Sequence, residues 1–484
     1  MSNIANLEPQ QVWKHFYALT QIPRPSKHEQ KAVEFVLGFG KKLGLETFTD
    51  EIGNVIIRKP AVKGMENRKC VTLQSHLDMV PQKNADTKHD FEKDPIETYV
   101  DGEWVKAKGT TLGADNGVGV AAALAVLEAT DLQHGPVEAL FTIDEETGMT
   151  GAFGLKAGVL KGDILINLDS EDEGELFVGC AGGLDGTFTF KYKETPVPSG
   201  SEPFKLSVTG LKGGHSGLDI ILGRGNANKI LFRVLHELSA QHQIRLASVD
   251  GGSLRNAIPR EAFAVFVAPA GKSPAVKQTV ESVCKTIAAE LSAVDAGLKI
   301  AVEPAAAPAH VLDEQTQQAL QAAVYAAPNG VMRMSDAVPG LVETSTNLAI
   351  VKSAGDEVTI KCLMRSSVDS AKDDLAAMMG HVFKLAGAQV KFEGGYPGWK
   401  PNPSSAIMDT MMKVYEKLYG VKPKVAAVHA GLECGLIGGV YPNLDMISCG
   451  PTLRYPHSPD EKLEIATVGK WWDFLVETLK NVPA

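Results

Sequence analysis

Val137-Glu138-Ala139-Leu140-Phe141-Thr142-Ile143-Asp144-Glu145-Glu146-Thr147-Gly148 is the stretch on which the fold turns. A short apolar run, Val137–Ile143, stops abruptly at three acids and a glycine. That length and that ending suit a buried strand rather than a helix. Two other runs have the same form. Cys70–Leu73 precedes Ser75-His76-Leu77-Asp78, and Ile164–Leu168 precedes Asp169-Ser170-Glu171. Between the first two lies the Ala-rich run Gly117–Leu127, which reads as a packed helix. Strands alternating with helices predict an α/β layer with a largely parallel sheet.

Upstream, Ser26 and Glu29 stand at capping-box spacing before Val33, Val36, Leu37 and Leu43, and Gly44 can end that helix. Downstream of Gly183 the pattern changes. Phe204–Val208 and Phe263–Val267 read as strands, and Ala275–Leu291 and Ala371–Leu385 as amphipathic helices. Asn347–Val351 and Val358–Cys362, joined at Gly355-Asp356, read as a hairpin. The Gly- and Pro-rich stretch Gly394–Pro403 predicts a linker, and Met408–Leu418, Leu444–Ser448 and Val468–Leu479 resume the first pattern. The expected organisation is a discontinuous catalytic domain, residues 1–184 and 398–484, with an α+β lid domain, 185–397, inserted in it. Trp471 and Trp472, in a helical run, read as core.

Length alone, 484 residues, favours two domains. A formal charge of −10 argues against nucleic acid as the default partner. No run of eighteen apolar residues predicts a membrane span, and the polar Met1–Gln11 carries no signal pattern. Cys70, Cys180, Cys284, Cys362, Cys434 and Cys449 show no paired spacing and read as reduced packing residues. The expected location is cytoplasmic.

Chemistry concentrates at strand ends. His76, the Asp144-Glu145-Glu146 triplet, Asp169 and the Pro456-His457-Ser458-Pro459 motif follow predicted strands, and Gly113-Ala114-Asp115-Asn116-Gly117 opens the Ala-rich helix. In an open α/β sheet, ligands gather at the carboxyl ends of the strands. Singly, each motif is more often a solvated loop or a packing residue. Five together would crowd carboxylates that repel one another unless a cation sits among them. Two His with several acids suit Zn, Mn or Co better than Mg or Ca. Their number exceeds the needs of one tetrahedral ion and suits a two-metal site bridged by one carboxylate.

The chain resembles the metallopeptidases that include carboxypeptidase G, peptidase T and the aminoacylases, and within them the aminoacyl-histidine (Xaa-His, cytosol nonspecific) dipeptidases. The matching text is Ser75–Pro81, Thr111–Gly117, Gly213-Gly214-His215-Ser216-Gly217, Arg255-Asn256-Ala257-Ile258-Pro259-Arg260 and His429-Ala430-Gly431-Leu432-Glu433-Cys434-Gly435. The resemblance covers nearly the whole length. It implies a zinc-peptidase-like fold and two divalent ions, most simply Zn, with Mn or Co as alternatives. By analogy Asp115 bridges, His76 and Asp169 serve one ion, and Glu146 and His457 serve the other. Asp78 would orient the His76 ring, and Glu145 would be the general base for the metal-bridging water. Asn116 stands where many relatives have Asp, and the ligand positions remain intact.

In the inserted domain, His215 would stabilise the developing oxyanion, Arg365, after a predicted strand, would grip a substrate carboxylate, and Asn256 would hydrogen-bond substrate. A homodimer through the lid is compatible with this pattern. The function implied is hydrolysis of unblocked dipeptides, Xaa-His dipeptides among them. An N-acyl amino acid amidohydrolase or a carboxypeptidase of the same family is the alternative, and a non-catalytic peptide-binding relative would be expected to have lost Glu145 or a ligand.

Overall fold

The computed structural model describes residues 4–484, so the first three residues of the polar Met1–Gln11 segment lie outside it. The chain divides into two compact units. One comprises 1–179, 401–427 and 432–484, and the other 180–400 and 428–431. The sequence reading had set the changes at 184/185 and 397/398. It had no signal for the return of 428–431 to the second unit. There the backbone N–H of Ala181 donates to the carbonyls of Val428 and Ala430, at 3.1 and 3.0 Å.

The first unit is built on an eight-stranded sheet. Its strands are β1 (Glu46–Thr49), β2 (Val55–Lys59), β3 (Val71–His76), β4 (Val137–Thr142), β5 (Ile164–Asn167), β6 (Glu175–Cys180), β7 (Lys424–Val428) and β8 (Asp445–Ser448). The order is β1-β2-β4-β3-β5-β8-β6-β7. The four central strands, β4-β3-β5-β8, run parallel. β2 and β6 pair antiparallel with the outer two of these, and β1 pairs antiparallel with β2. Every residue of β3, β4 and β5 is buried, which is why these strands read as continuous apolar runs instead of alternating ones.

The helix Ala114–Glu128 is buried on all sides from Asn116 to Leu127. Its Ala and Gly content lets it pass close to the sheet, and a methylene added there would cost about 1–3 kcal/mol by overpacking. Trp471 and Trp472, in the helix Ile465–Asn481, are 1% and 4% exposed and belong to this core, as expected. The helix Gln30–Lys42 does not use the capping box read from Ser26. It begins at Gln30 with Glu29 at its cap, and the Ser26 hydroxyl donates to the Met79 carbonyl at 3.3 Å. Gly44, at φ 72°, ends it as expected.

The second unit carries a separate antiparallel sheet. Ser201–Thr209 and Ala262–Pro269 pair along their lengths, as do Val342–Ala354 and Glu357–Ser366, the expected hairpin. Gln389–Tyr396 forms an edge strand on Gly182–Lys191, so the first residues of the predicted linker are sheet. The helices Ala227–His242, Ser273–Glu290, Glu314–Ala326 and Asp369–Leu385 contribute to this unit's core, where Phe188 and Phe383 stack with ring centroids 4.0 Å apart. No described helix is long and apolar enough to cross a membrane.

Candidate metal centre

Parallel strands end at the same edge, so their C-terminal residues assemble there without contact in sequence. His76 is the last residue of β3. Glu145 and Glu146 follow β4 after Asp144, whose left-handed φ of 49° turns the chain into the short helix Glu145–Gly148. The Asp144 carboxylate accepts the hydroxyls of Thr147 and Thr150, which braces that turn. Asp169 lies just beyond β5, and Asp115 sits in the first turn of the helix Ala114–Glu128. His457 lies three residues past the short strand Leu453–Arg454, also at positive φ, 59°.

Asp115 is the centre of the arrangement. Its Oδ1 lies 3.1 Å from His76 Nε2 and its Oδ2 lies 3.1 Å from His457 Nε2. On the His76 side, Nε2 is 3.5 Å from Asp169 Oδ1. On the other, His457 Nε2 is 2.9 Å from Glu146 Oε2. Behind the donors, Asp78 is fully buried, with Oδ1 3.2 Å from His76 Nδ1. The same carboxylate accepts the backbone N–H of Glu145 at 3.0 Å and of Glu146 at 3.2 Å.

The electrostatics call for positive charge. Burial pushes Asp169 up to about 6, Glu433 and Glu461 to about 7, and Glu171 to about 8. Burial and the neighbouring acids hold Glu145 well above the usual carboxylate range. Burial opposes the charge on Asp115, but hydrogen bonds from His457 and His76 outweigh it and hold the carboxyl well below that range. Hydrogen bonds to Asp115 and Glu146 push His457 up to about 11. Glu146 Oε1 is buried with no hydrogen-bond partner. Nitrogen and carboxylate donors, an orphaned buried oxygen and this excess of acids fit divalent cations: His76, Asp115 and Glu146 present ligand atoms within 4.8 Å of one another.

The three candidates from the inserted segment belong to the second unit. His215 Nδ1 accepts the backbone N–H of Gly217 and Leu218, both at 3.1 Å. That fixes the tautomer: Nε2 carries the proton and is the free donor. Arg365 lies within the strand Glu357–Ser366, one residue from its end rather than after it, and is 5% exposed. Its Nη1 donates to the Tyr396 hydroxyl at 3.1 Å, and no carboxylate lies within ion-pair distance among the described residues. A buried guanidinium without an acid partner is an anion-seeking group. Asn256 is exposed. Its carbonyl accepts the Ser216 N–H at 2.8 Å, joining the loop that carries His215 to the Arg255–Arg260 segment.

Residues 72–481 match the model of peptidase family M20/M25/M40. The chain belongs to this family. Over 484 residues, the whole of both chains, it is 48% identical to the cytosol non-specific dipeptidase of Escherichia coli strain K12. The crystal structure of aminoacylhistidine dipeptidase from Vibrio alginolyticus matches with a TM-score of 0.95 and 50% identity, covering 100% of this chain and 98% of that one. The aminopeptidase PepT of Bacillus cereus, 16% identical with a TM-score of 0.58 over 98% of this chain and 99% of its own, shares the fold. The chain is therefore an M20-family peptide hydrolase.

Three residues of this M20 centre escaped the sequence reading. Arg24, 2% exposed, donates from Nη1 to the carbonyls of Leu77 and Asp78 and from Nη2 to that of Gly113. Glu461, also 2% exposed, accepts backbone N–H groups from Leu112 through Asp115. Glu433 accepts Gln74 Nε2 at 2.6 Å and Thr142 Oγ1 at 2.7 Å under the strand ends. Glu433 lay in a quoted motif but drew no role. The flanking prolines of Arg24 and the four-residue step from His457 to Glu461 were the available signals.

Proposed function

We propose that this chain is a metal-dependent dipeptidase that hydrolyses unblocked dipeptides, Xaa-His dipeptides among them, in the cytoplasm. The observation that carries the reading is Asp115, with one carboxylate oxygen on the His76 side and the other on the His457 side. That is the disposition of a bridging ligand between two ions. The full-length likeness to a bacterial cytosol non-specific dipeptidase and to an aminoacylhistidine dipeptidase supports the substrate class.

In this reading His76 and Asp169 hold one ion, Glu146 and His457 the other, and Asp115 both. Zn fits this N/O donor set, and Mn or Co are the alternatives. When bound, the pair of ions polarises the scissile carbonyl and acidifies water. Asp78 keeps the His76 ring oriented. Glu145 takes a proton from the attacking water on its carboxylate and delivers it to the leaving nitrogen. Burial and the neighbouring acids raise its affinity for that proton. His215 donates from Nε2 to the oxygen that gains charge, Arg365 receives the C-terminal carboxylate of the dipeptide, and Asn256 hydrogen-bonds substrate. A homodimer through the second unit completes the reading. Leu218 and Leu222, exposed at 58% and 47%, supply apolar surface for it.

The test is a panel of dipeptides with different C-terminal residues, alongside their N-acetylated forms, assayed with Zn, Mn and Co. Free dipeptides should be cleaved and acetylated ones spared. Preference for the acetylated forms would make the protein an N-acyl amino acid amidohydrolase instead.

A further inference from the structure

The turn that presents Asp115 is gripped from two sides by opposite charges. On one side the Glu461 carboxylate accepts N–H from Leu112 at 2.7 Å, Gly113 at 2.9 Å, Ala114 at 2.8 Å and Asp115 at 3.2 Å. On the other side the Arg24 guanidinium takes the Gly113 carbonyl with Nη2. Its Nη1 takes the carbonyls of Leu77 at 3.0 Å and Asp78 at 2.9 Å, the residues directly after His76. One planar group thus ties the chain after His76 to the chain before Asp115.

The sequence makes room for it. A Cβ at Gly113, where φ is 70°, would meet Arg24 Nη2 at 2.7 Å and Met79 Sδ at 2.8 Å. A Cβ at Gly117 would meet the same Nη2 at 2.6 Å. Two glycines therefore shape the slot in which a fully buried arginine lies. Burying a guanidinium and a carboxylate this deeply is costly unless they are hydrogen-bonded, and Arg24 Nε is left without a partner even so. A turn that only needed to close would not require either charge.

We propose that Arg24 and Glu461 are positioning residues for the bridging carboxylate: together they fix the distance between His76 and Asp115 and so set the affinity for the metal pair. The proposal rests on the two-metal reading given above. Neither side chain is one of the proposed metal ligands, and the hydrogen-bond partners of both are backbone groups. They act through the backbone of the Leu77–Asp78 and Leu112–Asp115 segments.

The test is Zn competition against a chromophoric chelator, with melts of the metal-free proteins, for wild type, Glu461→Gln, Arg24→Lys and Gly117→Ala. Glu138→Gln is the control. Glu138 is equally buried and accepts from Arg58 and Thr72, but lies at the start of β4, at the opposite end of the strand from the site. The three test variants should bind Zn about 10- to 100-fold more weakly. The control should lose melting temperature without losing affinity. Gly117→Ala retains both charges and ordinarily favours a helix, so it reports on displacement of the guanidinium even if the charge variants fold poorly. Affinities within twofold of wild type in a folded Gly117→Ala or Arg24→Lys protein overturn the proposal. A wild-type protein that takes up no Zn, Mn or Co overturns the two-metal reading instead.

Discussion

Asp78 holds Glu145 by its backbone: the Glu145 N–H donates to Asp78 Oδ1 at 3.0 Å, and that same oxygen lies 3.2 Å from His76 Nδ1. The residue proposed to orient the His76 ring therefore also accepts from the turn carrying the proposed base. Asp78→Ala should reduce turnover and metal affinity together, each by about 10- to 100-fold. Steady-state kinetics with metal analysis checks this; weaker metal binding at unchanged turnover would separate the two roles.

Glu145 carries a proton in the proposed reaction and holds no ion. Glu145→Ala should abolish turnover while elemental analysis still finds two metals per chain. Near-normal turnover in that variant would remove the base assignment.

Asp115 and His457 should differ in metal content. Replacing Asp115 by Ala should release both ions, because both sides of the site share its carboxylate. His457→Ala should weaken mainly the ion on the Glu146 side. Equal losses in the two variants would contradict the bridging geometry. Chelation of the wild type should lower activity and melting temperature together. Ions that bind only the folded state stabilise it by about 2.7 kcal/mol at a hundredfold excess over Kd.

Arg365 is buried beside the Tyr396 hydroxyl, without a carboxylate partner among the described residues. Arg365→Ala should raise KM for dipeptides with a free C-terminus more than for C-terminally amidated ones. Equal losses on both would mean that it does not read the carboxylate.

Acid should weaken the second unit through His429. Burial first, then the charge of Arg365, pushes its imidazole down to about 3, and its Nε2 pairs with Ser345 Oγ at 2.7 Å. The unfolded chain takes up that proton near pH 6.5. Between about 6.5 and 3 the unfolded state thus binds one proton more, and stability falls as pH falls, by up to about 1.4 kcal/mol per pH unit. His429→Gln should lose less melting temperature than wild type between pH 7 and pH 5. Identical losses would count against this account.

How much the sequence disclosed follows from burial. β3, β4 and β5 are buried on both faces, so each appears as an apolar run, and the chemistry shows as the polar residue that ends it. The positions of His76, the Glu145-Glu146 pair and Asp169 stand out for that reason, whereas the division of roles between the two glutamates came only from the resemblance. The hairpin strand Val342–Ala354 was read only from Asn347, because its first half is Glu343, Thr344, Ser345 and Thr346. These polar residues are nonetheless buried, and Thr344 and Ser345 are satisfied by Ser366 at 2.9 Å and His429 at 2.7 Å. Such pairings are long-range and leave no periodic trace. Arg24 and Glu461 were missed for the same reason. Their partners are backbone groups up to 349 positions away, and a single charged residue in a loop looks like surface.

His457 lies 342 positions beyond Asp115, with the whole second unit translated between them. A ribosome therefore emits His76, Asp115, Glu146 and Asp169 long before the imidazole that faces them. Until His457 and Glu461 emerge, the growing polypeptide has only one imidazole at this edge and an unbraced turn. The proposed metal pair can therefore find its full set of ligands only after the intervening segment has been made.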